Sequence, residues 1–179
     1  MKSLLKVAFT FLAATLFTAV AAQNNGAFLK FDLAGKTITV NGDDLGCDNI
    51  FEAGDKNTKS NNEHTLYVKA MTNYVYKLSF IIHTPPHTNP VVGKLPYVSA
   101  SYKPTSPMPA VYIGLAKAVG KSMDFYGSEN GSVGYFEITQ VSDAWVEGKF
   151  EIKIPKTFEK TKTLHLTNGT FRFKIAEEG

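Results

Sequence analysis

The chain has 179 residues, 44% of them hydrophobic and 20% charged, and a single Cys; that length fits one globular domain, and one Cys excludes an internal disulfide framework. Of 19 Lys+Arg, two fall at Lys2 and Lys6, and the 17 that remain face 16 Asp+Glu, so beyond the first residues the net charge is +1. With no clustered basic face and no charge excess, the chain lacks the electrostatic footprint of a nucleic-acid binder.

Lys2 and Lys6 open a basic start, residues 7–20 are almost unbroken apolar or small, and Ala19, Val20, Ala21 and Ala22 precede polar Gln23. This order is that of a secretory signal peptide with its small-residue cleavage site. Thr10, Thr15 and Thr18 interrupt the apolar run and no stop-transfer charges follow Asn24 and Asn25, which favours a cleaved signal over a retained span of ~20 residues. No Cys follows the small residues, so no lipid anchor is indicated. The expected organisation is a signal peptide at 1–22 and one extracytoplasmic domain at 23–179, without a membrane span after cleavage. Cys47 has no second Cys with which to form an internal disulfide and is expected as a buried small hydrophobe, the other readings being an unoxidised reactive thiol or a link to another chain.

Past residue 23 the dominant pattern is alternation with a period of two, which is what half-buried strands require. Leu29, Phe31 and Leu33 share one side; Ile38 and Val40 repeat the pattern against Thr37 and Thr39. Residues 41–62, polar and carrying Asp43, Asp44, Asp48, Glu52 and Asp55, read as a long surface loop. Leu66, Val68 and Ala70 form the next apolar row, followed by Tyr74, Tyr76, Leu78, Phe80 and Ile82, with Lys77, Ser79 and His83 facing the other way. Prolines mark 84–96 and 103–109 as loops or edges. Residues 111–119 fit a strand or a short helix equally. Val146, Gly148, Phe150, Ile152 and Ile154 alternate with Glu147, Lys149, Glu151 and Lys153, the cleanest amphipathic strand of the chain.

Two Asn-Gly dipeptides favour tight turns, because both central positions of a type I′ turn need positive φ. A turn at Asn168-Gly169 sets Leu166 opposite Phe171 and Leu164 opposite Phe173; a turn at Asn130-Gly131 sets Phe125 opposite Phe136 and Met123 opposite Ile138. The competing reading of 164–175 is one long strand with a bulge at Asn168-Gly169, which also absorbs the switch of apolar residues from even to odd numbers. Together the segments predict an all-β fold, a mainly antiparallel β-sandwich of about eight to ten strands.

Three C-terminal stretches carry a resemblance: Gly134 with Ile138, then Val146, Gly148 and Phe150, then Thr167, Asn168, Gly169 and Phe171. This succession is similar to the G-x-I-x-I, V-x-G-x-F and T-N-G-x-F pattern of small exported β-sandwich proteins of unknown function common in Bacteroidota. Tyr135-Phe136 is more aromatic than that pattern, and the lipobox Cys of many such proteins is missing. The resemblance implies a fold and an envelope location, and no catalytic residue.

Candidate chemistry is sparse. His83 and His87 bracket Thr-Pro-Pro and could supply two imidazoles to a metal, with His64 or a loop carboxylate as third ligand, although two incidental loop histidines explain them as well. Asp43, Asp44 and Asp48 lack the order of an EF-hand loop. No nucleophile elbow or Cys-His signature occurs, and no cofactor motif is present. Exposed aromatics are the best binding signal. Trp145 falls on the Glu147 and Lys149 side of its strand, and Tyr97, Tyr102, Tyr112 and Tyr126 sit beside loops where a ring could stack on a sugar or a peptide. The expectation is a non-catalytic exported envelope domain, binding or structural, with a glycan or an envelope protein as partner. A glycan- or peptide-binding module is its sharper form, and a secreted hydrolase or metal-binding protein the alternative.

Overall fold

The computed structural model describes residues 26–52, 63–72, 75–85, 88–102 and 109–175, with the side chains of 43, 48–52 and 63–72 excepted. Among the described residues the chain forms β1 (Phe28–Leu33), β2 (Lys36–Asn41), β3 (Leu45–Glu52), β4 (Glu63–Thr72), β5 (Tyr76–Thr84), β6 (Gly93–Leu95), β7 (Ala110–Val119), β8 (Ser122–Gly127), β9 (Gly134–Ser142), β10 (Trp145–Lys156) and β11 (Glu159–Lys174), plus one 3-10 turn at Gly42–Asp44. The fold is all-β, and every neighbouring pair of strands is antiparallel. The expected eight to ten strands become eleven because 45–52, read as loop, is β3, and three-residue β6 lies within a proline-marked loop. The 45–52 expectation failed because Asp48 and Asn49 weigh against a strand, whereas β3 lies at the end of the strand order, where only one edge is paired.

The hydrogen-bonded order runs β2-β1-β11-β10-β8-β7-β5-β4-β3, with β9 beside β10 and β6 beside β9. Its halves join narrowly. β10 meets β8 through the Lys156–Tyr126 pair, and Thr157 N donates to Phe125 O at 2.8 Å, so the network folds over at that corner. One layer holds β2, β1, β11, β10, β9 and β6; the other holds β3, β4, β5, β7 and β8. Phe80 of β5 reaches across the interior to the first layer, with ring centroids 5.4 Å from Phe136, 5.1 Å from Phe150 and 5.6 Å from Phe171. All four rings are buried, and such edge-on contacts add to the area term of a core.

Three of the alternating rows lie where the pattern put them, and the side chains of Leu66, Val68 and Ala70 fall outside those described. Leu29, Phe31 and Leu33 are buried, as are Leu78, Phe80 and Ile82, and Val146, Phe150, Ile152 and Ile154. Tyr74 lies outside the described residues, and so does 1–22. Residues 111–119, undecided in the sequence, are strand. Cys47 is half-buried against the core.

Both Asn-Gly turns resolve differently from a hairpin. At Asn168-Gly169 β11 continues, and the bulge reading holds: Phe150 pairs with Gly169 but Ile152 with Leu166, while Lys30 pairs with Thr170 but Asp32 with Thr167. Both neighbouring strands therefore register one extra residue, and Asn168 takes the positive φ of 52°. Asn168 Nδ2 donates to Asp32 Oδ2 at 2.8 Å, which ties the bulge to β1. At Asn130-Gly131 a turn does form, with Ser132 N donating to Glu129 O at 3.0 Å. Positive φ occurs at Gly131 alone (74°), the pattern of a type II turn, whose twist does not match a strand pair. The strands on either side diverge into opposite layers. Phe136 and Ile138 are buried, but Phe125 and Met123, expected opposite them, are 52% and 43% exposed.

Candidate functional site: a groove over Tyr112

The outward face of the second layer explains those exposed residues. β7 and β8 pair around Gly120-Lys121, with Leu115 opposite Tyr126, Gly114 opposite Gly127 and Ala116 opposite Phe125. Val111, Ile113, Leu115 and Tyr126 face the core; Tyr112, Gly114, Ala116, Phe125 and Gly127 therefore face outward by strand alternation. This face is apolar without being core.

Two glycines directly opposite one another leave a bare patch of backbone, and the Tyr112 ring lies on it. A methyl on Gly114 would fall 3.1 Å from both Tyr112 Cε1 and its hydroxyl, and a methyl on Gly127 would fall 2.6 Å from the hydroxyl and 3.2 Å from Cε2. The hydroxyl end of the ring therefore sits over both glycines. Covering strand glycines with an aromatic ring restores packing that the missing side chains forfeit.

Above this ring lies a groove of 290 Å³, lined by Ser99, Ala100, Ser101, Tyr112, Gly127, Ser128, Glu129, Thr157 and Lys160. Its walls are held by bonds reaching across the fold. Buried Ser128 donates its hydroxyl to Val98 O at 2.6 Å and accepts from Ile113 N at 3.0 Å. Ser99 N donates to Asn130 Oδ1 at 3.1 Å, so the Asn130-Gly131 turn fixes one wall. Ser99 Oγ and Ser101 Oγ lie 3.1 Å apart. Glu129 and Lys160 form an ion pair, both side chains about half exposed.

Of the residues expected at a site, Tyr112 alone lines this groove. Tyr97 is 5% exposed, and its hydroxyl shares its proton between Tyr135 O at 2.6 Å and Glu151 O at 3.0 Å. Burial pushes that phenol far above its ordinary range. Tyr126 is buried as well. Neither offers a ring face for stacking, because each follows the inward parity of its segment. Tyr102 packs against His83, ring centroids 5.1 Å apart. Trp145 is half-buried in the other layer, with the Arg172 guanidinium 4.1 Å from its ring centre and Arg172 Nε 3.1 Å from Glu147 Oε1. Its outer face is thus occupied by a side chain of its own sheet. His87 lies outside the described residues, and among those described no group of three metal-ligating side chains occurs. No helix among them is long and apolar enough to cross a membrane.

A second concavity, of 180 Å³, opens under the 84–96 loop between Ile82, Leu95, Ile138 and three prolines. Its polar groups close the loop itself: Thr84 Oγ1 donates to Thr88 O at 2.8 Å and Thr88 Oγ1 to Pro85 O at 2.6 Å.

Sequence reasoning missed Gly114, Gly127, Glu129 and Lys160. The available signal was Gly120-Lys121: a two-residue turn there places the two glycines opposite each other, two residues beyond Tyr112. Comparison with protein-family models, curated proteins and solved structures finds no match for this chain.

Proposed function

We propose that this protein is an exported, non-catalytic domain of the cell envelope that works by binding, with the groove over Tyr112 as its ligand site. The observation that carries the binding reading is the outward ring of Tyr112 lying on two glycines at the floor of a polar concavity. An aromatic floor with a few placed polar groups is the usual composition of a small ligand site. The groove lining holds one carboxylate, Glu129, already paired with Lys160. That set orients hydroxyl and amide groups; acid-base hydrolysis of a glycosidic bond uses two carboxyls. Export rests on the basic and apolar order of residues 1–22 and on the C-terminal resemblance to exported Bacteroidota proteins.

Two measurements test this reading. Fractionation of the tagged full chain in a Gram-negative host should recover a shortened product outside the cytoplasm; a full-length cytoplasmic product contradicts export. Tyr112→Ala should abolish ligand binding across a panel of oligosaccharides and peptides while lowering thermal stability less than the loss of a core ring such as Phe80. Retained binding would move the site elsewhere.

A further inference from the structure

We infer that the groove takes one neutral sugar ring of a glycan, stacked on Tyr112 and read through its hydroxyl groups by Glu129 and the Ser99 and Ser101 hydroxyls. This rests on the binding reading above and names its ligand.

Shape gives the first reason. The hydroxyl end of the Tyr112 ring lies over Gly114 and Gly127 and the residue lines the groove, so what it offers a ligand is aromatic, partly apolar surface. A pyranose has a matching face of C–H groups, and its rim of hydroxyls needs partners at the side. Size agrees: 290 Å³ sits at the low end of the ~300–1,000 Å³ typical of ligand sites, which suits a single ring and not a dinucleotide.

Charge gives the second. Glu129 and Lys160 neutralise one another across the wall, so the groove presents no net attraction to a phosphate, a sulfate or a uronate. A carboxylate that accepts from two vicinal hydroxyls, with neighbouring serine hydroxyls able to donate or accept, suits an uncharged polyol.

The backbone gives the third, and it separates a glycan from a peptide. Extended peptides are captured largely by unpaired strand edges, whereas backbone groups at and behind the groove are engaged within the fold. Ser128 N donates to Ile113 O at 2.8 Å, Val98 N to Val111 O at 3.0 Å, Val111 N to Pro96 O at 3.0 Å and Thr157 N to Phe125 O at 2.8 Å. What remains to recognise a ligand is side-chain hydroxyls, one carboxylate and a ring.

The test is titration of the protein with maltopentaose, cellopentaose, mannopentaose, xylopentaose and chitopentaose, and in parallel with a library of extended octapeptides and with oligogalacturonate, followed by calorimetry and by the ring resonances of Tyr112. At least one neutral pentasaccharide should bind, shift those resonances and weaken at least tenfold in both Tyr112→Ala and Gly127→Ala, with an affinity unchanged by added salt. Gly127→Ala acts by displacing the ring, so agreement between the two variants separates loss of the platform from loss of one contact. Octapeptides that bind in a Tyr112-dependent way while the pentasaccharides do not would overturn the glycan inference and leave the groove standing. A salt-sensitive preference for oligogalacturonate would overturn the neutral-ligand claim. Glycan binding indifferent to both variants, or no Tyr112 response to any compound, would overturn the inference and the groove together.

Discussion

Among the described residues aromatic rings lie on glycines in two places, once inside the sandwich and once outside it. Inside, β10 and β11 exchange the device reciprocally: Gly148 pairs with Phe171 and Phe150 with Gly169, and each phenyl ring covers the glycine across from it, well within contact of where a side chain would begin. Gly148 is further closed by the Glu137 carbonyl. Outside, Tyr112 covers Gly114 and Gly127 and lines the groove. Where the ring is walled in by Phe80 and Phe136, it sets the spacing of the core; where it lines a groove, the proposed function makes it a recognition surface. The contrast also gives a packing role to the Val146-Glu-Gly-Lys-Phe and Thr167-Asn-Gly-Thr-Phe stretches, whose glycines are these two inner ones.

Substitutions should separate the two sites in order of size. Phe80→Ala removes the ring on which the first layer's phenylalanines converge and should cost about 3–5 kcal/mol in a urea titration; a cost below 1 kcal/mol would show that the two layers do not meet there. Gly148→Ala puts a methyl into the Phe171 ring and a backbone oxygen that cannot retreat, and should cost about 3 kcal/mol, the upper part of the overpacking range. Gly127→Ala meets the far end of a side chain on the surface, so its stability cost should stay within about 0.5 kcal/mol while the ring is displaced. Stability loss equal to that of Gly148→Ala would erase the distinction between inside and outside.

Two smaller effects sharpen it. Tyr97→Phe leaves the part-buried Tyr135 and Glu151 carbonyls without their shared donor and should cost about 1–2 kcal/mol by thermal unfolding, placing Tyr97 with the core rather than the site. Asp32 is pulled below its ordinary pKa of 3.8 by the Asn168 amide and then by the Thr37 hydroxyl. A carboxylate with a depressed folded pKa adds stability above its unfolded value and loses it as pH falls through the folded one. The melting temperature of the parent should therefore drop between pH 3.8 and the depressed value slightly more than that of Asp32→Asn; identical profiles would detach Asp32 from the bulge.

Much of the inside was legible from the chain, and little of the outside. The rows of β1, β5 and β10 follow strict alternation, and that period alone decides which side of a sheet a residue faces. The bulge was legible only as the second reading of the parity switch at Asn168-Gly169, since a hairpin there also keeps Leu166 and Phe171 on one side. β8 misled for the opposite reason. Met123, Phe125 and Tyr126 offer apolar side chains on both faces, so its two registers look alike until the Gly120-Lys121 turn selects the one that buries Tyr126. Tyr112 stood among the expected aromatics, but its significance depends on Gly114 and Gly127, which a count of chemistry-bearing side chains passes over. Trp145 met its expected parity, yet Arg172, which stands on β11 opposite Glu147 and diagonal to Trp145, lies against its ring, and such neighbours follow from register and not from local sequence.

The central claim is that a glycine under a ring protects the fold at Gly148 and shapes a ligand site at Gly127. The direct measurement is a side-by-side determination of melting temperature and pentasaccharide affinity for the parent, Gly148→Ala and Gly127→Ala. The account predicts a large fall in melting temperature for Gly148→Ala and an unchanged one for Gly127→Ala, with affinity lost in the latter. A Gly127→Ala protein that keeps full affinity, or one that unfolds as early as Gly148→Ala, would contradict it.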